Sequence, residues 1–243
     1  MEETPLTWSI VAHDPDTGSF AVAVATKAFA VGAAVPHLRH GVGAVATQSI
    51  TNRYLGPAVL DMMARGLSPE AAIAGATAAD AGRELRQVHA IDRHGHTAAR
   101  TGENCVTWCG HVAGPAVSVA GNMLANNAVV PATLAAFIAT PGALPERLMA
   151  AMLAGEAAGG DRRGRQSAAM VLTSTEDFPD LDIRVDDHAE PLLELQRLLA
   201  VWHRDREPGL RRAPRKADPA GLVDLDAIEA SWRAAGLDIR LRR

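Results

Sequence analysis

Aromatic side chains are scarce in this chain: four Phe, four Trp and one Tyr make up 4% of its 243 residues. Its core must therefore be built from Ala, Val, Leu and Met, with small residues packed closely. Cysteine is nearly absent as well. Two thiols, and an opening MEETPL without a basic-then-apolar signal, argue for a reducing cytoplasm over a disulfide framework. Excess positive charge is missing too. With 24 Lys and Arg against 28 Asp and Glu, the net −4 gives no general pull toward nucleic acid or anionic membrane. No apolar run approaches the about 20 residues that a bilayer requires. A phosphate-cradling G-x-x-x-x-G-K-[ST] does not occur, so nucleotide hydrolysis finds no support.

What is present is a patterned set of short elements. TWSIVAH (residues 7–13) and SFAVAVAT (19–26) read as strands joined by a DPDTG turn, in which Pro15 presets φ and Gly18 accepts positive φ. GVGAVATQS (41–49) is a third strand. Leu55, Val59, Met62 and Met63 share one side of a helix that stops at Gly66, and Ser68-Pro69 opens the next. RQVHAIDRHGHTAARTG reads as a hairpin turning at His94-Gly95, and AVSVAGNML as a strand. Helices fit Val129 to Ala139 and Leu144 to Ala158. QSAAMVLTS and LDIRVDD are late strands, and Leu192, Leu195, Leu199 and Trp202 mark a closing helix. Strand groups alternating with helical pairs suit an α+β layered sandwich better than a βαβ fold. We divide the chain into a leader (1–6), the main domain (7–203), a basic, proline-bearing linker (204–218) and a C-terminal helical appendage (219–243).

A threonine that heads a first strand has one specific catalytic use. If it becomes the N-terminus, its own α-amine, with a pKa of about 8, can act as general base for its hydroxyl. Thr7 is that residue here. Equally, a β-branched residue simply suits a strand start.

The segments TWSIVAHDPDTGSFAVAVATKAFAVGAAVP, GVGAVATQS, VAGNML, GEAAGGDRRGRQSAAMV and LDIRVDDH resemble a bacterial family of unknown function assigned to the N-terminal-nucleophile (Ntn) hydrolase superfamily, to which proteasome β-subunits belong. The resemblance spans Thr7 to about Trp202. It implies a four-layer αββα sandwich of two antiparallel sheets flanked by helices, and, at superfamily level, cleavage of amide bonds without a cofactor or metal. Thr7 falls at the superfamily nucleophile. Thr26-Lys27 falls where related chains end their second strand with polar and basic residues. The later position of their catalytic lysine lies near Val35 to His37 and holds none. Thr47-Gln48 matches the oxyanion-donor segment without its usual glycine. Asn122 matches a polar residue after the fourth strand, and Asp161 to Ser167 matches the groups that assist the amine. The expected catalytic set is therefore Thr7, Lys27, Gln48, Asn122 and Asp161, with His37, Arg165, Gln166 and Ser167 as substrate contacts. Arg165 is the preferred anion-binding residue. Many relatives begin Met-Thr; here exposure of Thr7 would require cleavage after Leu6.

Other groups have competing readings. Cys105, Cys109 and His111 would share a face if NCVTWCGH were a strand, as three ligands for zinc; two small cysteines in a core is the simpler reading. RVDDH precedes a Pro-led helix and suits capping. RRAPRK reads as a solvated linker. The first functional reading is an Ntn-type amide hydrolase for a small-molecule substrate, as a homodimer; the second is a ligand-binding or scaffold protein that keeps the fold without processing. A third uses Ser9 or Cys105 as nucleophile.

Overall fold

The computed structural model describes residues 7–210 and 212–241; the expected leader lies outside them. Two antiparallel sheets are stacked between two helical pairs. The larger sheet runs β10-β9-β2-β1-β8-β7 and the smaller β3-β4-β5-β6. Its first strands, β1 (Thr7–Asp14) and β2 (Ser19–Thr26), pair from Thr7↔Thr26 to Asp14↔Ser19. Their turn forms as the sequence dictates: the Asp14 carboxylate accepts from Asp16 N and Thr17 Oγ1, and Gly18 sits at φ 70°. β8 (Val117–Gly121) and β9 (Ser167–Thr173) flank that pair, with β7 (Gly110–Gly114) and β10 (Leu181–Val185) outermost.

The smaller sheet contains β3 (Pro36–Arg39), β4 (Gly43–Ser49), β5 (Arg86–Asp92) and β6 (Thr97–Thr101). Some strand boundaries differ from the expectation, in both sheets. β4 starts at Gly43, because Gly41 takes φ 68° in a turn, and the unread β3 precedes that turn. β8 ends at Gly121, before Asn122.

Outer helices cover both sheets. α1 (Leu55–Ala64) and α2 (Pro69–Ala78) pack on the smaller one through Leu55, Val59, Met63 and Ile73, with Ser68 Oγ capping Ala71 N. α3 (Val129–Ala139) and α4 (Leu144–Ala157) cover the larger, where Trp8 lies against Gly155 of α4. Any Cβ at Gly155 would meet Thr133 Oγ1 at 2.3 Å and the Trp8 ring nitrogen at 2.8 Å, so only glycine lets the sheet approach this closely.

The described chain divides into two compact units, one ending at Ala200 and one beginning at Val201, so the division falls within α5 (Pro191–Asp205). In the second unit, α6 (Glu207–Leu210) is followed by α7 (Leu225–Ala234), which Asp224 caps through Asp226 N and Ala227 N. The buried Glu229 there accepts from Arg240 Nη1 at 3.3 Å and Leu241 N at 3.0 Å. Among the described residues no helix is long and apolar enough to cross a membrane.

Candidate active site

Side chains of alternate residues in β1 point to opposite layers. Trp8 points toward α4, whereas Ser9 and Val11 point between the sheets, and Thr7 belongs to the same inter-sheet row. The register then places three hydroxyl residues side by side, Thr7 opposite Thr26 and Thr26 opposite Ser167. Asn122, just past β8, reaches Thr7 from the other side: its backbone N–H donates to the Thr7 carbonyl at 3.0 Å and its Nδ2 does so at 3.3 Å. Thr7 is fully buried, and its Oγ1 has no hydrogen-bond partner among the described residues.

Behind Thr7 runs a buried polar seam whose proton positions can be deduced. Gln87 Nε2 faces the carbonyl oxygens of Gly121 (2.9 Å) and Gly110 (3.1 Å), which can only accept. Its Oε1 must therefore face Gln48 Nε2 (2.8 Å) and Asn122 Nδ2 (3.0 Å). That orientation leaves Gln48 Oε1 as acceptor for Ser9 Oγ–H at 2.6 Å. Ser9 then has only lone pairs to offer His89 Nε2 at 2.8 Å, so His89 carries its proton on Nε2 and accepts from Ser118 Oγ at Nδ1. Full burial, with a smaller push from His111, lowers the His89 pKa to about 3, so the ring is neutral. It donates to Ser9 and cannot take its proton. Ser9 as a His-activated nucleophile is excluded in this arrangement.

The same bookkeeping places the predicted residues. Gln48 Nε2 is committed to Gln87 Oε1 and Ala120 O, with Thr7 O at 3.4 Å. Asn122 Nδ2 is committed to Thr7 O and Gln87 Oε1, leaving Asn122 Oδ1 as the unpartnered atom among the described residues. Both residues lie at Thr7, but as clamps on its backbone. Asp161 is also brought in: its buried carboxylate accepts from Lys27 N (2.9 Å), Thr26 Oγ1 (3.4 Å) and Arg163 Nη2 (2.7 Å). Arg163 also donates to Asp161 through its backbone N–H and Nε. Lys27 therefore meets Asp161 through its backbone.

The expected substrate contacts are held elsewhere. Arg165 pairs with Glu156 and with Glu190, and those two carboxylates raise its pKa. Gln166 Nε2 donates to Asp187 Oδ1. Ser167 Oγ donates to Ala28 O at 2.6 Å and accepts from Val31 N, which ties down the chain after β2. His37 lies on the backbone of α1, where a Cβ at Gly56 would stand 2.2 Å from its ring, and burial lowers its pKa. In RVDDH, Arg184 pairs with Asp186, and His188 Nδ1, not a carboxylate, accepts the Glu190 N–H before α5. Cys105 lies outside any strand and donates to Arg86 O, and Cys109 donates to Cys105 O; no group of three metal-binding side chains gathers among the described residues.

Sequence reading missed Gln87 and His89, and within residues 161–167 it preferred Arg165 to Arg163. A Gln and a His alternating with Val88 and Ala90 resemble the wet face of a hairpin. One signal was present: strands on both sides of that hairpin were rich in Ala and Gly and needed a covering layer.

Backbone strain also concentrates here. Three of the four described non-glycine residues with positive φ lie here: Ser49 (75°) as the last residue of β4, Met123 (51°) two residues past β8, and Ala30 (54°) four residues past β2.

Residues 7–195 match the model of a family of unknown function, DUF1028. A crystal structure of a protein from Silicibacter pomeroyi, described with the same family, is 34% identical, covers 90% of this chain and 96% of its own, and superposes with a TM-score of 0.84. The ancestral β-subunit Anbu of Yersinia bercovieri is 7% identical, with a TM-score of 0.39 over 82% of this chain and 97% of its own. No curated protein matches.

Proposed function

The chain belongs to that family of unknown function, and from the geometry at the head of β1 we propose that it is an Ntn-type amide hydrolase for a small, acidic amide or acylated amino acid. One observation carries the reading: the Thr7 hydroxyl is buried among polar groups with no partner among the described residues. A buried hydroxyl left unmet costs about 1–3 kcal/mol, and a valine of the same shape would avoid that cost. Such an atom calls for an explanation, and chemistry at Thr7 is one.

In this reading, cleavage after Leu6 frees the Thr7 amine. The hydroxyl attacks a substrate carbonyl, the amine takes its proton and delivers it to the leaving nitrogen, and water then hydrolyses the ester. Gln48 and Asn122 hold the Thr7 carbonyl, and so the nucleophile, in place. Thr47 N and Ile50 N are bonded to Val35 O and Leu85 O, so in this reading the Ser49 N–H, at the end of β4 with φ 75°, is the oxyanion donor. Asp161 and Arg163 fix Thr26 beside Thr7. The Lys27 ammonium, without an ion pair among the described residues, takes over from the paired Arg165 as the group that favours an acidic substrate.

Intact-mass measurement of freshly expressed protein tests this directly. The expected result is loss of MEETPL, followed by acylation of Thr7 with an electrophilic carbonyl probe, located by peptide mapping. A retained leader with no label on Thr7 sinks the proposal. That outcome would favour the second reading, a ligand-binding or scaffold protein with the same fold, for which the complete burial of Thr7 already speaks.

A further inference from the structure

Two stretches of this chain carry nearly the same five residues. Leu181-Asp182-Ile183-Arg184-Val185 is β10, and Leu237-Asp238-Ile239-Arg240-Leu241 follows α7 in the second unit. Both alternate apolar and charged residues, the pattern of a half-buried strand. β10 is the outermost strand of the larger sheet, so its outer edge has no strand partner among the described residues. Residues 237–241 form neither helix nor strand, with Leu237 49% and Ile239 47% exposed. An open sheet edge and a strand-patterned segment without a sheet each supply the main-chain donors and acceptors that the other leaves unmet.

Charge fixes how they meet. In an antiparallel pairing that sets Ile183 opposite Ile239, Asp182 faces Arg240 and Arg184 faces Asp238, while Leu181 faces Leu241 and Val185 faces Leu237. Every apolar residue then meets an apolar one, and every charge its opposite. A two-residue slip sets Asp182 against Asp238 in one direction and Arg184 against Arg240 in the other, and a parallel pairing of equal residues does both. Like charges directly opposite are destabilising. A one-residue slip turns the apolar side chains onto the charged face. The charges are available for this. Asp182 is exposed with no partner among the described residues, and Arg184 pairs only along its own chain, with Asp186. Arg240 donates to Glu229 at 3.3 Å, and Arg233, 3.9 Å away, stays with Glu229 when Arg240 turns to Asp182.

We infer that residues 237–241 of one copy add as a strand to β10 of a second copy, which returns the contact and closes a two-fold dimer. A second β10 has the same self-complementary pattern, but that pair would leave Leu237 and Ile239 in water. The inference does not depend on catalysis at Thr7.

Sedimentation velocity of the full chain from about 1 to 200 µM tests it. The mass should rise toward twice the 25.5 kDa of one chain. Amide exchange at 181–185 and 237–241 should slow as concentration increases. Arg184→Asp and Asp238→Arg, both at exposed side chains where folding is not at stake, should each weaken the dimer at least about thirtyfold, because each sets like charges opposite in two symmetric contacts. Together they restore opposite charges, and the combined variant should dimerise within about threefold of the parent. A monomer throughout the range, single variants that dimerise like the parent, or a combined variant no tighter than either single one would each overturn the inference. So would exchange protection independent of concentration, the mark of a tail paired within its own chain. A dimer weakened by Arg184→Asp but not by Asp238→Arg would overturn it in favour of two β10 strands pairing with each other.

Discussion

The layer between the two sheets has two halves made by the same strands, and they are chemically opposite. At one end Val11, Phe20, Val22, Ala44, Ala46 and Ile91 form an apolar cluster. Toward the other end, β1 continues with Ser9 and Thr7, β2 with Thr26, β4 with Gln48, and β5 with His89 and Gln87, all buried. The first half needs only shape and volume. The second must satisfy each donor and acceptor, and Gln87, which bridges both sheets through its amide, fixes the orientation of its neighbours. Hydrophobic burial is non-directional, whereas hydrogen bonds set angles.

The contrast is put to its hardest test at Thr7. Thr7→Val keeps the shape and removes the unmet hydroxyl. It should abolish probe labelling by at least about a thousandfold while leaving the Tm unchanged or raising it, by about 1 kcal/mol in stability. A variant still labelled at position 7, or one that unfolds, would break the distinction between positioning and stability at this site.

Next in size is an acid limb from His89, in the polar half. His89 has a folded pKa of about 3 against 6.5 in an unfolded chain. Below pH 6.5 the unfolded chain binds a proton that the folded one refuses. His89's contribution is therefore fully present above 6.5 and lost as pH falls toward 3, by about 1.4 kcal/mol per unit and about 5 kcal/mol in all. Chemical denaturation across that window should show the slope, and His89→Asn should flatten it.

Gln87→Leu should cost about 3 kcal/mol, because it strands the Gly110 and Gly121 carbonyls and the amides of Gln48 and Asn122. Urea titration would read this as a lower midpoint. An unchanged midpoint would mean that the seam relaxes as freely as an aliphatic core. Ile91→Val, in the apolar half, should cost only about 1 kcal/mol by the same measurement.

Much of the architecture could be read along the chain. β1, β2 and their turn follow from period-two patterning and DPDTG, and α2 begins at its Ser68 cap. β3 and β7 could not be read in this way. PHLR and GHVAG are short edge strands with little patterning of their own, and they exist because β4 and β8 offer them a partner. At the candidate site, Thr7, Asn122 and Asp161 were identified through resemblance and do lie together around the Thr7–Thr26 pair. Arg165 looked open to an anion because its two carboxylate partners, Glu156 and Glu190, are distant in sequence.

Local composition determined the elements themselves: where strands alternate, where helices cap and stop, and that a hydroxyl residue leads the first strand. These depend on neighbours within a few positions. Which face of β5 is wet was decided only when the larger sheet covered Gln87 and His89, and that Asp161 meets Thr26 and the Lys27 N–H only when the chain folded back onto the end of β2. Burial and hydrogen-bond partnership come from residues far apart in the chain, so only tertiary packing could make Thr7 a sheltered hydroxyl with its neighbours' bonds already spoken for.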